Sequence, residues 1–314
     1  MSEAVWVVGR GLLGNRVASL MRTSETETVA YVPPPFSWSA PTTFAAECSA
    51  SVARFGELVK RTGRYRVFWT AGRGVMSSTE EDIRKETENL RTFLRVFASD
   101  ENVGRATGVF GYSSSAGGVY AGSLDEVITE ASDVSPGSAY GRGKLEHEEL
   151  VRTLASPSRG VLLARIASLY GPGQSRTKPQ GLLTHIARCL LMRKPIHIYV
   201  PFDTVRDYLH VQDAAADFVG ASTLVGSGEV AVKIIASEQP ATIAMIIGLF
   251  RRITRLQPLL ATGTNALGAA YAHRIVFSSR VLTQARGLSR IGLPEGIAGT
   301  FEHERRAYAA GGMP

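Results

Sequence analysis

Two rhythms of apolar and polar positions run along the 314 residues. Residues 4–8 (AVWVV) form a short continuous apolar run closed by Gly9, the pattern of a parallel strand buried on both faces. Residues 12–21 have helical spacing, and 29–32 read as a second strand, broken by Pro33, Pro34 and Pro35. The stretch 36–51 predicts a loop or a short irregular helix, and 52–60 a helix. Residues 66–70 predict a third strand, ended by Ala71 and Gly72. Between 80 and 97, Ile83, Leu90, Leu94 and Phe97 recur with charges between them, which predicts an amphipathic helix. A strand over 108–112, a helix over 138–154 and a strand over 161–164 continue the alternation. Such alternation predicts an α/β fold, a doubly wound parallel sheet covered on both faces.

After Tyr170 the pattern loosens. Gly171, Pro172 and Gly173, then Lys178 and Pro179, mark loops. Helices are expected over 182–191, 213–224 and 242–255, with a strand over 232–235. This half reads as a smaller lobe, with residues 309–314 frayed.

Composition narrows the class. Hydrophobic residues make up 44% and charged residues 20%, which suits a buried core and argues against disorder. Lys and Arg number 35 against 28 Asp and Glu, a net charge of +7. The basic residues are scattered, so the expected partner is a polyanionic small molecule such as a nucleotide, not nucleic acid. Cys48 and Cys189 offer neither a disulfide framework nor metal-ligand spacing, and the six histidines form no close pair, so no metal is expected. No signal pattern and no membrane-spanning apolar run are apparent, which predicts a cytoplasmic protein with no membrane partner.

The first chemical motif is Gly9-Arg10-Gly11-Leu12-Leu13-Gly14. It follows a strand and opens a helix, the context in which glycines let the backbone approach a pyrophosphate and a helix N-terminus supplies N–H donors. An NAD-binding unit usually carries an acid at the end of the second strand to bond the ribose hydroxyls. Here Val32 and three prolines stand there instead, and Arg10 can pair with a 2′-phosphate. NADP is therefore expected over NAD.

The second motif is Tyr140 and Lys144, four apart and so on one helix face. A neighbouring ammonium favours a phenolate, which makes such a pair a working acid/base unit beside a hydride transfer. The third is Ser113, Ser114 and Ser115, expected just past the C-terminal edge of the sheet, where a hydroxyl can donate to a developing alkoxide. The serines lack the setting of a hydrolase nucleophile.

Together these residues resemble the extended short-chain dehydrogenase/reductases, in particular the nucleotide-sugar epimerase/dehydratase/reductase group. The resemblance rests on GRGLLG at 9–14, SSSAGGVYAGS at 113–123, Glu130, YGRGKLEHEEL at 140–150, ARIASLYGPGQ at 164–174 and VRDYLHVQDAAADFV at 205–219. It implies a Rossmann-type fold with a C-terminal substrate-binding lobe. Residues 1–170 would form the dinucleotide-binding domain with 204–220 returning to it, and 171–203 and 221–314 the lobe. It also implies a triad of Ser115, Tyr140 and Lys144, with Ser114 as the alternative serine. Cofactor contacts would come from Gly9 to Gly14, Ala71, Gly72, Ser113, Tyr140, Lys144 and Ile166. Ser114, Ser168, Gln180 and Arg206 would meet a nucleoside-diphosphate sugar.

Departures from the family pattern narrow the reaction. Ala116 and Gly117 follow the serines where dehydratases carry an Asp-Glu pair, and no Cys stands near Ser115 as in enzymes that epimerise C3 or C5. The expected activity is reduction of a 4-keto sugar with NADP. The alternatives are a C4 epimerase with tightly bound NAD and a dinucleotide-binding sensor without turnover. The resemblance further suggests a homodimer joined through the helices at 80–97 and 138–154, unless their apolar faces are used on their own sheet.

Overall fold

The computed structural model describes residues 2–23, 27–175, 181–263, 272–287 and 290–311. Along the first half run β1 (Glu3–Val8), α1 (Leu12–Thr23), β2 (Thr28–Tyr31), α2 (Pro41–Thr62), β3 (Arg64–Trp69), α3 (Glu80–Ser99) and α4 (Glu101–Arg105). There follow β4 (Thr107–Ser115), α5 (Ala116–Val119), α6 (Ala139–Arg152), β5 (Arg159–Ile166) and β6 (Ser168–Tyr170). The second half holds α7 (Leu182–Met192), β7 (Ile196–Ile198), β8 (Val205–His210), α8 (Val211–Leu224), β9 (Val230–Ile235) and β10 (Pro240–Thr242). It ends with α9 (Ile243–Thr254), β11 (Leu260–Thr262) and α10 (Leu293–Ala309).

The main sheet is parallel, in the order β2-β1-β3-β4-β5-β9. It is the doubly wound Rossmann-type sheet that the alternation predicts. In β1 the side-chain period of two sorts residues between faces: Ala4, Trp6 and Val8 join one core cluster, Val5 and Val7 the other. The first cluster lies under α2, α3 and α6, the second under α1 and α8. The chain reverses direction across the sheet between β1 and β3, which opens a crevice beyond their C-terminal ends.

Four expectations need correction. Residues 36–51 and 52–60 are not a loop followed by a short helix: α2 is continuous from Pro41, which sits in its first turn. Phe44, Cys48, Val52, Phe55 and Val59 recur at helical spacing and are all buried. Each large apolar side chain buried this way contributes roughly 1.5–3 kcal/mol, more than the weak local propensity withholds. Second, the three serines do not lie past the sheet edge. They are the last residues of β4, paired with Ala164, Arg165 and Ile166 of β5. Third, β9 pairs with β5 in the main sheet, so the return to that sheet extends through Ile235 and is not confined to 204–220, while β8 within that range and β6 before residue 171 pair with each other outside it. Fourth, α10 carries residues 293–309 as a regular helix, so 309 is helical; 312–314 lie outside the described residues.

The smaller lobe packs α7, α9 and α10 around Tyr170, Ile186, Leu190, Ile246, Phe250 and Ile297. Its strands form a sheet β10-β8-β6 and a pair β11-β7. An ion pair from Arg188 to Glu304, 2.8 Å long and largely buried, ties α7 to α10. The apolar residues of α3 (Ile83, Leu90, Phe93, Leu94 and Phe97) are buried within the chain itself. Among the described residues no helix is long and apolar enough to cross a membrane.

Candidate active site

The crevice opens into a cavity of about 1240 Å³ that runs between the sheet and the lobe. Single small-molecule sites are typically ~300–1,000 Å³, so this one has room for two ligands side by side.

Its floor is the turn after β1. Gly9 has φ +92°, a left-handed conformation, and a Cβ there would lie 2.4 Å from Ala71 Cα. A Cβ on Gly14 would lie 1.9 Å from the Gly9 carbonyl oxygen, so that glycine lets α1 start directly behind the turn. A Cβ on Gly11 would meet nothing within 4 Å. That open approach above a helix N-terminus is the cradle a pyrophosphate requires, so the residues present fit a dinucleotide. Thr70 fixes the neighbouring loop: its hydroxyl donates to Gly9 O at 2.6 Å, and its N–H to Val8 O at 2.8 Å.

Most of the expected site residues meet in this cavity. Gly9, Gly11, Leu12, Leu13, Ala71, Gly72, Ser113 and Ile166 line it. Ser114, Ser115, Tyr140 and Lys144 line it as well, and Ser168 of β6 and Arg206 of β8 do so too. Gly14 lies behind the turn. Arg10 is exposed and outside the lining, with its Nε 3.3 Å from Asn15 Oδ1. Gln180 falls outside the described residues.

Tyr140 enters on the first turn of α6, which Ser138 caps by accepting the Gly141 N–H at 3.1 Å. Its ring lies between two glycines, since a Cβ at Gly74 would come within 3.1 Å of it and one at Gly118 within 3.0 Å. Lys144 is one turn further along, buried, with Nζ 5.7 Å from the Tyr140 ring centre. Burial alone would lower the Lys144 ammonium's pKa; the facing Tyr112, Tyr140 and Glu86 outweigh it and hold the pKa above that of a free lysine. Lys144 therefore stays charged. Glu86 is placed by the loop after β3, accepting the Arg73 and Gly74 N–H groups.

The serines differ in what holds them. Ser114 is buried, and its hydroxyl donates to Glu148 Oε1 at 2.6 Å. Glu148 in turn takes Arg165 through both oxygens, with a closest approach of 2.7 Å. Ser115 is half-buried and caps α5, its Oγ accepting the Gly118 N–H at 3.2 Å, which leaves its own proton to donate.

Sequence reasoning missed several lining residues. Trp38, Glu86, His147, His197, Tyr199 and Thr204 all face the cavity. The His197 and Tyr199 rings are stacked, 6.1 Å apart. Thr204 is buried, and among the described residues its hydroxyl has no partner. Nothing in the local spacing of these residues marks them; three-dimensional proximity alone assembles them. Among the described residues no group of three or more His, Cys, Asp or Glu could hold a metal ion.

His147 lies under Lys144. Burial, with Lys144 and Arg91 nearby, lowers its pKa to about 3. An unfolded histidine titrates near ~6.5, so below that pH the unfolded chain binds the extra proton and the fold does not. Stability from this group therefore falls as pH drops from the unfolded value toward the folded one. Between about pH 7 and pH 4, wild type should lose on the order of a few kcal/mol more than His147→Asn in urea denaturation. Equal losses would refute the assignment.

Residues 9–230 match the NAD dependent epimerase/dehydratase family. A dTDP-4-dehydro-6-deoxyglucose reductase from Escherichia coli is 29% identical over 109 residues, which is 34% of this chain and 34% of that protein. The alignment thus spans about a third of the relative's length. Among solved structures, MoeE5 in complex with UDP-glucose and NAD has a TM-score of 0.78 at 23% identity, covering 97% of this chain and 99% of its own. UDP-glucose 4-epimerase from Thermotoga maritima, solved with UDP-glucose, has a TM-score of 0.76 at 17% identity, covering 98% and 99%. RMD from Pseudomonas aeruginosa, complexed with NADPH, has a TM-score of 0.75 at 20% identity, covering 96% and 98%. At these identities the structures share the fold. The sequence match over most of the chain goes further: this chain is a member of the NAD dependent epimerase/dehydratase family.

Proposed function

We propose that the chain reduces the 4-keto group of a nucleoside-diphosphate sugar, with NADP as its preferred cofactor. The observation that carries this reading is the meeting of Ser115, Tyr140 and Lys144 in one cavity with the glycine cradle, while Ala116 and Gly117 follow the serine. This set of residues suits a redox centre, and the Asp-Glu pair that elimination of water needs does not follow the serine. The partial match to an E. coli reductase of a 4-keto deoxysugar nucleotide supports the same direction.

A dinucleotide held in the glycine cradle would supply the hydride, and the chain's own residues would do the rest. Ser115 donates a hydrogen bond to the carbonyl oxygen as charge develops there. Tyr140 delivers its phenolic proton to that oxygen, and the charged Lys144 stabilises the phenolate left behind. The cradle from Gly9 to Gly14 holds the pyrophosphate, with Ala71, Gly72, Ser113 and Ile166 lining the rest of the cofactor side. Arg206 meets the diphosphate of the sugar nucleotide, and Ser168 and the Thr204 hydroxyl line the same end. The preference for NADP rests on β2, which ends at Tyr31 and runs into Val32 and three prolines with no acid beside a 2′-phosphate. Arg10, exposed at the turn, supplies a counter-charge.

The test is an assay with a dTDP-4-dehydro-6-deoxy sugar. Consumption of NADPH in step with loss of the keto sugar is the expected result, with NADPH binding more tightly than NADH. Isomerisation of UDP-glucose at C4 without added cofactor would show an epimerase instead. Binding of dinucleotide with no turnover of either compound would leave a sensor.

A further inference from the structure

Beneath Lys144 lies a chain of buried polar groups that the proposed reaction does not use. Lys144 Nζ donates to Tyr112 Oη at 3.1 Å and to the Ser113 carbonyl oxygen at 3.4 Å. Tyr112 Oη lies 2.8 Å from His147 Nδ1. His147 Nε2 lies 2.8 Å from Thr87 Oγ1, which donates to the Ile83 carbonyl oxygen at 3.1 Å. Tyr112, His147, Thr87 and Lys144 are all buried.

One arrangement of protons satisfies every group in this chain. Lys144 can only donate, so Tyr112 accepts from it, and Thr87 gives its proton to the Ile83 carbonyl oxygen and accepts from His147. His147 Nε2 therefore carries the ring proton, and Nδ1 offers a lone pair. Tyr112 gives its only proton to that lone pair, so it presents oxygen lone pairs alone to the Lys144 ammonium. The neutral ring this requires agrees with the lowered pKa of His147.

We propose that Tyr112, oriented by His147 and Thr87, is a positioning residue for Lys144. Tyr112 takes one of the three ammonium donors and Ser113 O a second, which leaves one for the ligand side of the cavity. Without the His147 lone pair, the Tyr112 proton would be free to turn toward the ammonium and repel it. The chain ends on a backbone carbonyl inside α3, so it does not conduct protons to solvent; its role is orientation. The other titratable groups around it are Tyr140 and Glu148 from α6, and Glu86 and Arg91 from α3. This inference rests on the reading of Tyr140 and Lys144 as the reacting pair.

The first test needs no substrate. In nitrogen-15 NMR of the histidine-labelled full chain, His147 should appear as the Nε2–H tautomer and stay neutral through mildly acidic pH. An Nδ1–H tautomer would overturn the proposal. The second test is kinetic, with NADPH and the keto-sugar nucleotide. Tyr112→Phe keeps the ring and should lower kcat by ~10–100-fold, the scale of a misplaced catalytic group, with the KM of the sugar nearly unchanged. His147→Leu should match it, whereas His147→Asn, whose side-chain oxygen can replace Nδ1 as acceptor, should recover most of the rate. Unchanged kcat in both Tyr112→Phe and His147→Leu would overturn the proposal. If Tyr112→Phe does not fold, His147→Leu and the tautomer decide. Tyr140→Phe assayed alongside separates the two readings: if it retains turnover, the catalytic pair is wrong, and if it alone is inactive, only the positioning role fails.

Discussion

Tyr140→Phe is expected to lower kcat by ~10²–10⁴-fold, the usual worth of a positioned proton donor, while leaving the KM of the sugar nucleotide close to wild type. The substitution removes one oxygen and keeps the ring. That ring fits between Gly74 and Gly118, where neither neighbour has a Cβ to shift into the space. The cap of α6 comes from Ser138 and is untouched. Stability should therefore stay near wild type, and dinucleotide binding should persist, because the glycine turn follows β1 and is untouched by a change on α6. A steady-state assay with a melting curve on the same sample checks both expectations. Full turnover in a folded variant would remove Tyr140 from the chemistry and the proposed reaction with it.

Glu148→Ala is expected to cost ~3–5 kcal/mol of stability, because it leaves a buried guanidinium without its partner. Arg165 and Glu148 are 7% and 1% exposed, and Glu148 accepts from both Arg165 and Ser114. Arg165 also donates to Tyr120 Oη at 2.6 Å, so the unpaired charge would be left with one neutral acceptor. A surface pair such as Arg84 with Glu81, 65% and 51% exposed, is worth only ~0–1 kcal/mol by comparison. Urea denaturation of Glu148→Ala and Glu81→Ala measures the contrast. A loss below ~1 kcal/mol for Glu148→Ala would mean that the interior relaxes around Arg165 and that the pair does not hold β4, β5 and α6 together.

The Glu148 network also bears on which serine acts. Three serines in a row carry no local signal that separates them. In a strand, neighbours point to opposite faces, and Ser114 is turned to the buried pair while Ser113 and Ser115 flank it. The Ser114 hydroxyl proton is held by Glu148, so of Ser114 and Ser115 it is Ser115 whose proton is available.

Much of the framework was legible in the chain because its causes are local. An apolar run ending in Gly9, Gly11 and Gly14 specifies a strand, a tight turn and a helix start within a dozen residues. Tyr140 and Lys144 share a face because a helix repeats every 3.6 residues. Helix α2 was legible in principle, since Phe44, Cys48, Val52, Phe55 and Val59 keep that period, but the prolines before it and its polar, alanine-rich first turns obscured it. Helix α10 gave less to read: its buried side includes Gly296 and Glu304, whose places are set by Tyr170 and Arg188 far away in sequence.

What only the tertiary structure decided is non-local. That β9 joins the main sheet depends on pairing with β5, some seventy residues earlier. The chain from Lys144 through Tyr112 and His147 to Thr87 draws on β4, α6 and α3, and one arrangement of protons satisfies every group in it. Spacing along one helix could place Tyr140 beside Lys144. Only packing between elements could bury that lysine, keep it charged and aim it, because those properties come from side chains that meet across the fold.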